Sequence, residues 1–280
     1  MKTTRRSVLT AAVAAAGLGA AQAQSPVTRY VRFRKGSTIS YGILDGDTVT
    51  HLQGDLFANP KPTSTKSKLS EVKLLYPCEP PKVIAVGLNY KSHIGNRPAP
   101  PRCEIFYKPT TCLQHPEEPI VIPKGANNVH FEGELVLVIG KRASRVSVAD
   151  APGVIFGVTC GNDVSERDWQ NGPDKDLQWW RAKGATTFGP LGPSIVTGLN
   201  YGNLLLQTRV NGKVMQKQVT SDLIYGPAQI VSTISEYVAL APGDVIYTGT
   251  PGATAKMNPG DVCEIDIEGI GILRNKIAAA

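Results

Sequence analysis

From Lys82 onward the chain is broken into short apolar runs: KVIAVG, EPIVIP, ELVLVIG, VIFGVTCG, SIVTG, LLLQTRV, DVIYTG and DVCEIDI. Runs of this length bounded by Gly, Pro, Asn and Asp predict strands. Asn211-Gly212 lies between two polar-flanked β patterns and predicts a hairpin turn. Upstream, VTRYVRFRKGSTISYGILDGDTVTHL alternates β-formers around Lys-Gly and Asp-Gly, which predicts a small N-terminal β unit. The next stretch, FANPKPTSTKSKLSEVKLLYPCEPPK, shifts to Pro, Ser, Thr and Lys and reads as a linker ending near Pro81. Helical spacing occurs in DKDLQWWRAK and in GPAQIVSTISEYVAL, where Ile230, Ile234, Tyr237 and Val238 form an apolar stripe. Many strands, few helices and no regular βαβ alternation predict a mostly-β, α+β fold of roll type. The expected division is a small β domain with linker over 24–76 and a main domain over 77–280.

Residues 1–23 stand apart. MKTTRRSVLTAAVAAAGLGAAQAQ has a basic start, an Ala-rich apolar stretch and an A-x-A site at Ala21-Gln22-Ala23, the features of an export signal. The pair Arg5-Arg6 predicts the twin-arginine route, and so a periplasmic protein; an ordinary signal or a membrane anchor is the alternative. The apolar stretch is too short and too rich in Ala and Gly for a good spanning helix, so no stable membrane insertion is expected once the signal is removed.

Composition narrows the function classes. The 280 residues are 41% hydrophobic and 19% charged, ordinary for a globular enzyme-sized chain. The formal charge of +7 falls to +4 once Lys2, Arg5 and Arg6 are set aside, and no basic run or aromatic–basic interleaving remains. Nucleic acid is therefore not an expected partner. The five cysteines form no C-x-x-C, and their odd number argues against a disulfide framework; Cys103 and Cys112 are one conceivable pair.

The candidate chemistry sits in HFEGEL, where Glu132 and Glu134 precede an apolar strand. Alternation places two residues of this spacing on one face. Two like charges so close repel unless a cation neutralises them; two solvated strand-end acids are the alternative. A third acid, Asp163, follows the strand in GVTCGNDVSERDWQ, with Ser165 expected to cap a short helix. Three carboxylates on rigid strand ends suit Mg²⁺ or Mn²⁺, with water and substrate oxygens completing the shell.

Six ordered motifs resemble the fumarylacetoacetate hydrolase family: VGLNYKSH, HFEGELVLVIGKRA, GVTCGNDVSERDWQ, WWRAKGATTFGPLGP, VIYTGTPGA and GDVCEIDIEGIGILRN. The resemblance runs from about Lys82 to Ile277 and implies a mixed β-roll core, a homodimer and a bound Mg²⁺, Mn²⁺ or Ca²⁺. It assigns Glu132, Glu134 and Asp163 as metal ligands, Lys183 as the lysine facing the substrate, and Gln170 and Thr250 as substrate contacts. His93 matches the family's base. Members of decarboxylase type carry a Glu three residues later, where this chain has Asn96; members of hydrolase type use a Glu on a late strand, which Glu264 matches. Arg97 and Arg102, in the Pro-rich segment after His93, are available for a substrate carboxylate. The implied activity is metal-dependent C–C hydrolysis of small 2,4-dioxo acids of acylpyruvate type through an enolate. The alternatives are decarboxylation or tautomerisation of 2-oxo acids resembling oxaloacetate, isomerisation of a dienedioate, or a non-catalytic carboxylate-binding module.

Overall fold

The computed structural model describes residues 26–280, so the expected export signal lies outside the described residues. Strands dominate and the helices are few and short, giving the mixed β-roll. Twelve strands form one sheet and five form a second. In the larger sheet, strand Gly133–Ile139 pairs antiparallel with Ile155–Asn162 on one side and with Val245–Tyr247 on the other. Val83–Gly87 and Glu104–Lys108 continue that sheet.

The strand Gly133–Ile139 is buried on both faces. Leu135, Leu137 and Ile139 enter the core shared with Ile265 and Leu273 of the second sheet. Val136 and Val138 enter a second core with Val83, Ala85 and Tyr247. This two-sided burial explains the unbroken apolar run in the sequence. Its cost is borne at Gly133, where a Cβ would come within 2.1 Å of Thr208 Oγ1 and 3.0 Å of Ile265 Cδ1.

Asn211-Gly212 joins Leu205–Val210 to Lys213–Val219, with φ of 52° and 79° at the two turn residues, as the hairpin reading requires. The second helical pattern becomes helix Pro227–Tyr237, which buries Ile230, Val231 and Ile234, but of the expected stripe Tyr237 is 87% exposed and Val238 lies past the helix end. Three local expectations are corrected. The Pro/Ser/Thr/Lys segment is not a linker: Lys61–Lys68 pairs with Thr48–Gln53, and Lys73–Leu75 pairs with Thr28–Lys35. Lys61–Lys68 closes the end of the sheet, and most of its polar side chains face solvent, Ser67 being buried, which is why its composition resembled a loop. The first helical pattern yields only Trp180–Gly184, because Asp176 accepts from the Arg181 N–H and side chain and holds the preceding residues in a loop. Ser165 does not cap the short helix Arg167–Asn171; Glu166 does, accepting from Trp169 N–H at 2.7 Å.

Thr28–Lys35 pairs with Gly189–Thr197, so one sheet runs continuously from the N-terminal meander into the main domain. All five cysteines are free and buried, so Cys103 and Cys112 do not pair.

Candidate metal centre

Glu132 and Glu134 flank Gly133 at the start of the buried strand, and Asp163 follows the last residue of its antiparallel neighbour. One oxygen from each carboxylate lies within 4.8 Å of the others, and all three residues are buried. The backbone is pinned there from both sides. Asp163 N–H donates to Glu132 O at 2.9 Å, and Asn162 Oδ1 accepts from Glu132 N–H at 2.9 Å.

Cations surround the triad unevenly. Lys183 Nζ donates to Glu132 Oε2 at 2.6 Å and to Asp163 Oδ2 at 2.7 Å. Arg167 donates to Glu132 Oε1 at 2.6 Å and to Gln170 Oε1 at 2.7 Å. Lys108, fully buried, donates to Asp163 Oδ1 at 2.5 Å and also to the Lys183 carbonyl. Among the described residues Glu134 has no such partner and accepts only the Gly249 N–H, at 2.6 Å. That contact needs glycine, because φ at Gly249 is 109° and a Cβ would meet Asn89 Cβ at 2.8 Å.

The protonation pattern follows. Burial opposes ionisation of Glu132, but Lys183 and then Arg167 outweigh it and hold its carboxyl below the ordinary range. Burial likewise opposes charge on Lys183, but Asp163 and Glu132 outweigh it and raise its pKa. Lys183 is therefore a fixed ammonium. For Glu134, burial, then Asp163 and Glu132, all act in one direction and push its carboxyl well above the usual range. A hard divalent cation within reach of all three carboxylates would supply the charge that Glu134 lacks, so the donor set fits Mg²⁺, Mn²⁺ or Ca²⁺.

His93, Gln170, Lys183 and Thr250 line one cavity with Glu132 and Glu134. His93 sits on the short helix Lys91–Ile94, and its Nδ1 lies 2.6 Å from Gly252 O. A carbonyl only accepts, so Nδ1 carries a proton, and in the neutral ring this leaves Nε2 to act as the base. The loop before it is bolted down by Asn89, which donates to Thr248 O at 2.7 Å and accepts from Tyr225 N–H. Thr250 Oγ1 donates to Gly133 O at 2.9 Å and accepts from Gln216 Nε2 at 2.8 Å. Gln216 also donates to Pro251 O and accepts from Gly133 N–H and Thr208, so one buried amide clamps the TGTP loop to the Glu-bearing strand.

Glu264 is not the partner of His93. It lies on strand Val262–Ile267 of the second sheet, where Arg209 Nε approaches it at 3.1 Å and Arg274 at 3.7 Å. Arg97 is not in the cavity; its guanidinium folds back on Ile94 O and His93 O. Arg102 is exposed and also does not line the cavity. The arginine that does reach it is Arg167, which the sequence reading passed over. Its signal was the i, i+3 spacing of Arg167 and Gln170, which puts both on one helix face. Lys108 was also missed, and a lysine closing the strand EIFYK was too weak a signal to find it.

Comparison with known proteins places this geometry. The family model "Fumarylacetoacetate (FAA) hydrolase C-terminal" matches residues 82–278, and "Rv2993c-like, N-terminal" matches 28–77. The chain belongs to the fumarylacetoacetate hydrolase family. Among similar family members, Protein Rv2993c of Mycobacterium tuberculosis is 42% identical over 253 residues, covering 85% of this chain and 94% of its own. The mitochondrial oxaloacetate tautomerase FAHD2A of Bos taurus is 38% identical over 221 residues, covering 74% of this chain and 70% of its own. The crystal structure of a 5-carboxymethyl-2-hydroxymuconate delta-isomerase from Mycobacterium smegmatis superposes with a TM-score of 0.84 at 40% identity, covering 90% of this chain and 100% of that one.

Proposed function

We propose that this protein is a divalent-metal-dependent tautomerase or isomerase of small 2-oxo acids that moves a proton through an enolate. The observation that carries this reading is the state of His93. Its Nδ1 is held by the Gly252 carbonyl; Glu264, the carboxylate that hydrolase-type members pair with this histidine, is committed to arginines, and Asn96 stands where decarboxylase-type members carry a Glu. A histidine so arranged can take a proton from carbon and return it elsewhere, which is all that enol–keto or double-bond isomerisation requires. The names of the tautomerase and isomerase relatives point the same way.

The protein's own groups divide the work. Arg167 and Gln170 bind and orient a carboxylate at the cavity wall. Lys183 has three donors and spends two on Glu132 and Asp163, leaving one for the oxygen on which negative charge develops. A bound Mg²⁺ or Mn²⁺, or Ca²⁺, would supply Lewis-acid charge at the Glu132–Glu134–Asp163 corner. C–C hydrolysis of a 2,4-dioxo acid would use the same enolate but needs an activated water as well.

The test is deuterium exchange at C3 of oxaloacetate in D₂O, followed by NMR with Mg²⁺-loaded protein. We expect exchange well above the metal-only rate without matching release of pyruvate. His93→Ala should slow it on the order of 100-fold or more. Pyruvate release from an acylpyruvate that outpaces exchange would establish hydrolysis instead. No acceleration of either would overturn the reading.

A further inference from the structure

The cavity that holds His93 and Lys183 has a volume of about 40 Å³. Beside it lies a second cavity of about 480 Å³, lined by Tyr107, Leu177, Gln178 and Trp180, and bounded by Phe106 and Trp179, which also line the first. Phe106 and Trp179 meet edge to face, with ring centroids 5.3 Å apart and an interplanar angle of 78°. Lys183 Nζ lies 5.3 Å from the centroid of the same Phe106 ring. One aromatic pair is therefore the common wall of a polar reaction chamber and a larger groove of mixed polarity that carries Tyr107, Leu177 and Trp180.

Tyr107 is 51% exposed, Trp180 66% and Leu177 98%, three large apolar side chains drawn together at the mouth of the site. No Lys or Arg lines the groove, and Glu104 stands at its edge. Its volume, its large aromatic and aliphatic side chains and its lack of a cation suit a small apolar ligand group, whereas the inner chamber has room only for a reacting head. Trp179 adopts the left-handed backbone conformation, φ 55° and ψ 25°, sparsely populated for a bulky residue. Strain held at a cavity wall is a recurrent mark of a ligand clamp or gate.

Resting on the 2-oxo acid reading above, we infer that the Tyr107–Leu177–Trp180 groove is a tail subsite, and that the natural substrate is a 2-oxo acid whose distal end is apolar or aromatic. The Trp179–Phe106 pair separates the head from the tail. A distal carboxylate is disfavoured, because the groove offers no cation and Glu104 would repel it.

Calorimetric titration of the Mg²⁺-loaded protein with three acids tests this: 2-oxobutanoate, 4-phenyl-2-oxobutanoate and 2-oxohexanedioate. The phenyl acid should bind at least tenfold tighter than either of the others. In a Tyr107→Ala/Trp180→Ala variant that advantage should fall below threefold, while affinity for 2-oxobutanoate stays within twofold; Trp180→Phe should retain most of it. Equal affinity for all three acids, tightest binding of the dioate, or a phenyl advantage that survives the double substitution would overturn the subsite while leaving the head-group reading intact. Binding of none of the three would overturn both. Sedimentation of the same variant supplies the remaining outcome: conversion of a dimer to a monomer would assign the groove to a second copy of the chain and contradict the tail subsite.

Discussion

Glu134 concentrates the site's electrostatics in one side chain. Glu132 and Asp163 are each ion-paired, but Glu134 faces both of them with a single N–H for support. Its folded-state pKa is raised by burial first and by its acidic neighbours next, so the folded chain holds the proton more tightly than the unfolded chain. That stability is fully present below the ordinary carboxylate value and drains away as pH rises from there through the raised folded value. The metal-stripped protein should therefore lose melting temperature as pH is taken from about 4 toward neutrality, and Glu134→Gln should flatten that slope. Scanning calorimetry across pH in chelator checks it; a wild-type slope no steeper than the variant's would refute the assignment. The acids were legible because strand alternation is local. Lys108 was not, since its pairing with Asp163 spans 55 positions and only the folded sheet brings them together.

At the level of elements, the site depends on how closely the two sheets approach at Gly133. The Glu-x-Glu spacing was readable as a strand, but the need for glycine between the acids became visible only when Thr208 and Ile265 of the other sheet came into view. Any Cβ there must push the sheets apart or twist the strand that aims both carboxylates. Gly133→Ala should cost about 1–3 kcal/mol of stability and weaken metal-dependent activity together with it. Thermal melting alongside the exchange assay checks this, and a variant with unchanged stability and activity would show that the sheets yield freely. The same dependence on tertiary context explains the misread elements. Lys61–Lys68 is a polar strand because it closes the sheet, and 174–179 stays a loop because Asp176 spends its carboxylate on Arg181. The long apolar strands and the helix at Pro227–Tyr237 were legible because burial itself writes their pattern.

For the whole molecule, the order of motifs sufficed to identify the roll and its family, whereas the roles of Glu264, Arg97 and Arg102 did not survive placement in three dimensions. Motif spacing records which strand a residue occupies, not which sheet that strand joins. Glu264 falls on the second sheet, among arginines, and the His93 ring bonds to Gly252 O instead. Export is proposed from Arg5-Arg6 and the Ala-rich stretch alone. A chain exported already folded could load its metal in the cytoplasm. Replacing Arg5-Arg6 with two lysines should leave the protein in the cytoplasm, as cell fractionation would read; unchanged periplasmic recovery would point to another route.

The central claim is that Glu132, Glu134 and Asp163 form one divalent-cation site on which enolate chemistry depends. Its most direct test is calorimetric titration of Mn²⁺ into metal-stripped protein, comparing the wild type with Glu134→Gln, a substitution that breaks no ion pair. The account predicts one Mn²⁺ per chain for the wild type and at least a tenfold loss of affinity in the variant. Absence of binding to the wild type, or equal affinity in the two proteins, would contradict it.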